Sequence, residues 1–348
     1  MTQNEIADII QKDIGNRGIR NILPDDNYQE FQLAAKKLVD SSKVAILSGF
    51  ACIMDSEPHY ETDGIAGAFA IAKCLLNMNK QVTLLFDAHS EPYMKEIIQL
   101  YLQDMNTSLK GNLDSMFLEC GHNNLSSDSL QKLQIISETF DAIVSIERPS
   151  ITISEKYLTM SAFDISHLSS AFDKHLFPLV GEKKKNSNQH LISIGDGGNE
   201  VGMGKVQKLV IQHINNGEKI AANTYCDNLI VSDTSNFGGY ALVYFVILGL
   251  VKMKLDSSQH KQLISLFPQF MQPLVKDIAL VKDFKDLMLT QIGVMVSNEK
   301  ACARLLEKYG IKDGITKQVG TTVDGISFDD QAVIIFEMQK VLDNLFAD

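Results

Sequence analysis

Several signatures are missing from this 348-residue chain, and each absence removes a class of function. Its five cysteines, Cys52, Cys74, Cys120, Cys226 and Cys302, are odd in number and scattered without CxxC or other metal-ligand spacing, so neither a disulfide framework nor a zinc module is expected and a reducing compartment fits best. The histidines show no HxH or HExxH spacing; His59, His89 and His122 fall in candidate loops without a ligand pattern. There is no GxSxG, no Gly-Lys-Ser/Thr after a glycine loop and no lysine in a Schiff-base context, so covalent acyl, P-loop and pyridoxal chemistry are not indicated. The apolar run Phe237 to Val251 is interrupted by glycines and falls short of the roughly 18 residues of a membrane span, so it is expected to be a buried helix.

Basic charge is also short. Thirty-two Lys and Arg face 43 Asp and Glu for a formal charge of −11, which opposes binding to nucleic acid or anionic lipid. The one basic run, Lys183-Lys184-Lys185 within "GEKKKNSNQ", reads as a solvated linker. The first residues, "MTQNEIADIIQKDIGNRGIRN", form an amphipathic helical pattern that carries acidic side chains, unlike a signal or transit segment; a cytoplasmic location is the expectation.

What remains is an ordinary globular composition with an ordered alternation of strand and helix patterns. "KVAILSGF", "QVTLLFD", "SMFLEC", "DAIVSIERP", "HLISIG" and "NLIVSD" are apolar, β-rich runs, separated by helical spacings over 64–79, 92–105, 128–138, 199–215 and 239–254. This order predicts an α/β fold, a largely parallel sheet flanked by helices, with a more helical C-terminal part beyond about residue 255. Ser327 with Asp330 resembles a capping box for a final helix from Phe328. A soft boundary in the 181–189 loop divides an N-terminal α/β lobe (1–180) from a C-terminal lobe (190–348), with one continuous domain as the alternative.

In parallel sheets ligands bind where strands end and helices begin, and acidic and polar residues gather in those loops. "GDGGNEVGMG", residues 195–204, is not a dinucleotide fingerprint, because Glu200 replaces the third glycine of GxGxxG. Glycines that let backbone approach a small ligand or a cation held by Asp196 and Glu200, with Asn199 between them, suit the stretch better; helix capping is the simpler alternative. "EPHYETDG" sets Glu61 and Asp63 before a helix at Ile65, where Asp63 or Thr62 would serve as N-cap, and Gly67, Ala68 and Ala70 would permit close helix–sheet packing. "ERPS" offers Arg148 as a fork for a carboxylate, with Glu147 to orient it or bind an ammonium group. "DTSNFGG" brings Ser235 and Asn236 to a helix N-terminus, and "TTVDGIS" places Asp324 in a turn.

Taken in order, "ETDG", "ERP", "GDGGNEVGMG", "TSNFGG" and "VDG" resemble the D-glutamate cyclase family over most of the chain, from "DIGNRGI" to the last helix. The chain departs from the family pattern at Ser150 and Phe237, where Gly and Trp are usual, and has no tryptophan at all. The resemblance implies a lyase that converts D-glutamate to 5-oxo-D-proline with loss of water. That chemistry needs a base for the ammonium group and polarisation of a poor electrophile, the γ-carboxylate. Asp196, Glu200 and Asp63 are the expected catalytic acids and bases and the expected ligands of any Mg²⁺ or Mn²⁺; Glu61, Glu147, Arg148, Asn199, Ser235, Asn236 and Asp324 are the expected substrate contacts. No nucleotide or pyridoxal cofactor is expected, the partner is a small acid, and a homo-oligomer is left open. The strand-end aspartates Asp63, Asp87, Asp196 and Asp233 also allow a metal-dependent phosphoester hydrolase, and a non-catalytic amino-acid-binding module is a third reading.

Overall fold

The computed structural model describes residues 3–52, 59–103, 112–121 and 125–346. Six strands form one parallel sheet: β1 (Lys43–Ser48), β2 (Gln81–Asp87), β3 (Leu113–Leu118), β4 (Ala142–Ile146), β5 (His190–Gly195) and β6 (Asn228–Val231), in the order β3-β2-β1-β4-β5-β6. The central strands are buried on both faces, which is why they read as unbroken apolar runs rather than alternating ones. β4 and β5 lie on either side of the 181–189 loop and are hydrogen-bonded neighbours, so one sheet spans the two lobes drawn from the sequence. The strand order reverses between β1 and β4, and the crevice outside their carboxyl ends is where such sheets bind ligands.

Helices cover both faces. On one side the helices Asn27–Asp40, Ile65–Asn77 and Ser235–Leu255 pack with the C-terminal helices Val281–Ile292 and Phe328–Leu345; on the other, Ser127–Thr139 and Gln207–His213 close a second apolar cluster. The helix Ser235–Leu255 begins earlier than expected and, at 21 residues, is long and apolar enough to cross a membrane by length and composition. Its surface is instead spent on protein packing, with 78% of its apolar window buried. A Cβ on Gly239 would lie 2.8 Å from the Gly67 Cα, so the small residues of "GIAGAFA" chiefly let two helices approach each other, with β4 close by through Ile146.

Two helical expectations are corrected. The stretch near 199–215 is helical only from Gly204, because residues 199–203 are drawn into bridges between Glu200 and Pro149 and between Met203 and Tyr225. The pattern over 92–105 gives the helix Glu91–Ile98 and a π-helical turn, Gln99–Gln103; its last two residues, like His122, lie outside the described residues. Ser327 does cap the last helix, its Oγ accepting from the Asp330 amide at 3.2 Å.

A candidate acidic active site at the strand ends

The glycine loop after β5 turns its backbone around one of its own carboxylates. The amides of Gly197 and Gly198 donate to Glu200 at 2.8 and 2.7 Å, and Gly198 sits at φ +107°, where a Cβ would meet Val210 at 2.6 Å. Glycine is needed there for conformation and for space. The "ERPS" segment pairs with this loop: Ser150 N donates to Asn199 O at 2.9 Å and Val201 N to Arg148 O at 2.8 Å. Glu147, at φ +43°, is thereby turned toward Glu200 and Asp196 and accepts a hydrogen bond from Ser235 Oγ at 2.6 Å.

Asp196 is the centre of the arrangement. One carboxylate oxygen from each of Glu147, Asp196 and Glu200 lies within 4.8 Å of the others, and the same holds for Asp63, Asp196 and Asp324. Asp324 reaches the site from the C-terminal segment because Thr62 binds that segment twice, through Lys312 O at 3.0 Å and Thr322 O at 2.8 Å, while Asp313 accepts from Gly325 N at 2.8 Å. Arg17 completes the group. Its guanidinium contacts Asp196 at 2.6 Å and Asp324 at 2.9 Å and donates to the carbonyl of Asp233.

Six buried carboxyl groups with so little counter-charge cannot all ionise alike. Burial works against the charge of Asp196, but Arg17 and hydrogen bonds from Asp324 and Glu200 outweigh it and hold its carboxyl below the usual range. Burial and the charge of Asp196 push Glu200 up to about 8. Burial, with Asp63 and Asp196 adding, raises Glu61 to about 8, and Glu147 and Asp324 are driven well above the ordinary value by burial and then Asp196. Arg17 thus favours the charged form of Asp196 while burial and Asp196 favour the protonated forms of its neighbours, the contrast that sorts acids from bases in a site.

An open cleft of about 1030 Å³ gives access to Arg17, Glu61, Glu147, Asp196, Asn199, Glu200 and Asp324, and Lys312 and Lys317 also line it. Asn199 donates to Leu158 O at 2.9 Å, but its buried Oδ1 has no hydrogen-bond partner among the described residues. An unsatisfied acceptor in a cleft wall is suited to an ammonium donor. The carboxylate triples consist of hard oxygen donors and fit Mg²⁺ or Mn²⁺ by ligand type.

Not every expected contact reaches this cleft. Arg148 is 1% exposed, forks onto both oxygens of Asp87, donates to Gly49 O and Ser170 O and stands over the Phe172 ring; its fork is filled, and it braces the floor rather than facing a substrate. Asp63 lies behind the cleft, accepting from Gly64 N, Ser235 N and Asn236 N at 2.7 to 2.8 Å. It therefore caps the helix Ser235–Leu255, not the one that follows it in sequence. Burial and Asp196 raise it to about 7 against those amides. Ser235 is turned to Glu147, and Asn236 accepts from Gly67 N at 2.8 Å. Of the aspartates weighed for a two-metal phosphoesterase, Asp87 is paired with Arg148, Asp63 accepts backbone amides beside Asp196, and Asp233 accepts from Ile14 N at 3.1 Å. Arg17 was not among the expected residues, although it stands within "DIGNRGI", where the family resemblance begins.

A family model described as D-glutamate cyclase-like, C-terminal, matches residues 6–339. "D-glutamate cyclase, mitochondrial" of Homo sapiens is 29% identical over 325 residues, 93% of this chain and 49% of that protein. The chain thus spans about half the length of this relative.

Proposed function

The chain belongs to the D-glutamate cyclase-like, C-terminal family, and from that membership and the site around Asp196 we propose that it cyclises D-glutamate to 5-oxo-D-proline with release of water. The observation that carries this reading is Asp196, held by Arg17 at 2.6 Å with carboxyl oxygens of Glu147 and Glu200 within 4.8 Å, open to a cleft that is also lined by Lys317.

The reaction joins the α-nitrogen to the γ-carbon and expels a γ-oxygen as water, so the net task is to move protons from nitrogen to oxygen. Asp196 and the orphaned Asn199 Oδ1 receive the ammonium group, and Asp196 accepts its first proton. Glu200 and Glu147, whose carboxyls burial and Asp196 raise, each donate one proton to the departing oxygen; as the ring closes the nitrogen gives its second proton to one of them and Asp196 passes the first to the other, leaving a lactam N–H and water. Arg17 and Lys317 are the cations placed for the carboxylates of the substrate. Mg²⁺ or Mn²⁺ held by Asp196 with Glu147 and Glu200 would supply further polarisation of the γ-carboxylate.

The test is to incubate the protein with D- and L-glutamate, with and without EDTA, and to follow 5-oxoproline by chiral chromatography. D-glutamate should be converted, and Asp196→Asn should fold normally with turnover reduced by about a thousandfold or more, the scale of an essential proton acceptor with its electrostatic role. Saturable D-glutamate binding with no product in any condition would replace the lyase by a binding protein; wild-type turnover in Asp196→Asn would remove that residue from the chemistry.

A further inference from the structure

The sequence marks Lys183-Lys184-Lys185 as a solvated linker, but the structure holds this segment firmly. Lys184 pairs with Asp227 at 2.7 Å, Asn186 donates to Ser137 O at 3.1 Å, and the Gln189 carboxamide donates to Ile136 O and Phe140 O at 2.9 and 3.0 Å. The pinned segment closes a cavity of about 380 Å³ against the short helix Phe172–Leu176. Lys174, Lys183, Lys184, Lys185 and His175 line it together with the acids Glu155 and Glu182, and Lys184 is already paired with Asp227, which leaves Lys174, Lys183 and Lys185 as its cations. In a chain of net charge −11 this is a local inversion of sign. The other wall is apolar, formed by Ile153, Phe177, Pro178 and Leu179.

The cavity shares no lining residue with the acidic cleft. Its inner edge is joined to the glycine loop nonetheless: Asn223 N donates to Ile151 O at 2.8 Å, and the preceding Ala222 N to Gly198 O at 3.0 Å. Among the described residues no ion pair is formed by Lys174 or Lys183. Burial and the nearby Lys185 hold His175 below its ordinary pKa, with Lys174 adding to the effect against Asp173.

The geometry points to a second ligand site here, for a phosphorylated small molecule with an apolar or planar body, of which a nucleoside phosphate is the type. The volume lies within the range of small-molecule sites, the lysines supply cations for phosphate oxygens, and the apolar wall supplies a face for the body. The inference is independent of the reaction assigned to the acidic cleft.

Isothermal titration of the full chain at low salt tests it, with ADP, adenosine and inorganic phosphate as probes. ADP should saturate at one per chain; Lys174→Ala and Lys183→Ala should each weaken it by about tenfold, the value of one hydrogen bond to a charged group. Both variants replace surface side chains, and an unchanged melting temperature verifies their fold. The His175 imidazole resonance should titrate at higher pH with ADP present, because the phosphate offsets the neighbouring cations. Absence of saturation, equal affinity in the double variant, phosphate binding as tightly as ADP, or displacement of ADP by D-glutamate would each overturn the proposal.

Discussion

Arg17→Gln is the substitution whose consequences can be worked furthest from the structure. The guanidinium holds Asp196 at 2.6 Å and Asp324 at 2.9 Å, and only 21% of its side chain is exposed. Glutamine is shorter and neutral, so both carboxyls lose their counter-charge while staying buried. Removing one partner of a buried pair costs about 3–5 kcal/mol; partial exposure of Arg17 and the ability of Asp324 to hold a proton place the expected loss at the lower end, about 3 kcal/mol at pH 7.5. In the native protein the carboxyl of Asp196 lies below the ordinary aspartate value of 3.8, so the pair stabilises the fold above the unfolded pKa and ceases to do so as pH falls through the folded one. In the variant, burial and the surrounding carboxyls are no longer opposed by Arg17, and the folded pKa of Asp196 rises above the unfolded value. The variant then takes up a proton as the pH is lowered, and part of its deficit is relieved. Urea unfolding followed by circular dichroism at pH 7.5 and pH 5 should give a deficit that shrinks by about half between the two. A loss below about 1 kcal/mol at pH 7.5, or the same loss at both pH values, would refute the reasoning.

Glu61, raised to about 8 from the ordinary glutamate value of 4.5, makes the native state bind a proton that the unfolded chain has already lost, so it lowers stability as pH rises between those values. Glu61→Gln should remove that fall, worth at most about 5 kcal/mol, and narrow the gap between melting temperatures at pH 5 and pH 9; an unchanged gap would show that the carboxyl ionises freely. Gly198→Ala forces a Cβ to within 2.6 Å of Val210 at φ +107°, and a loss of about 2 kcal/mol or more in urea unfolding, with lower 5-oxoproline formation from displacement of the Glu200 cradle, is expected. Ser327→Ala should cost about 1 kcal/mol in the same measurement without a change in KM, since it removes only a helix cap.

The sheet was legible because fully buried parallel strands leave a local mark, an apolar run of strand length bounded by polar loops, as in Gln81–Asp87 and His190–Gly195. The acidic loops were legible for a related reason: Asp196, Glu200, Glu61 and Glu147 each follow a strand at the end where parallel sheets bind ligands. Arg17 left no such mark, since it stands in an irregular segment between the helix Glu5–Ile10 and the 3₁₀ turn Ile19–Ile22, and only the fold carries it to Asp196.

The amino-acid sequence by itself determined the α/β class, the strand positions, the concentration of carboxylates in the connecting loops and the family resemblance, because these depend on periodicity, composition and short motifs. Tertiary structure alone decided how the polar groups are divided. Arg148 and Asp87, which lie 61 positions apart, neutralise each other in the floor; Asp63 caps a helix that begins more than 170 residues later; and Arg17 crosses 179 positions to reach Asp196. A charged side chain has the same local signature whether it faces a substrate or a buried partner. Which of the two it meets is fixed by desolvation and pairing in the folded chain, where a buried charge must find its complement wherever the topology has placed it.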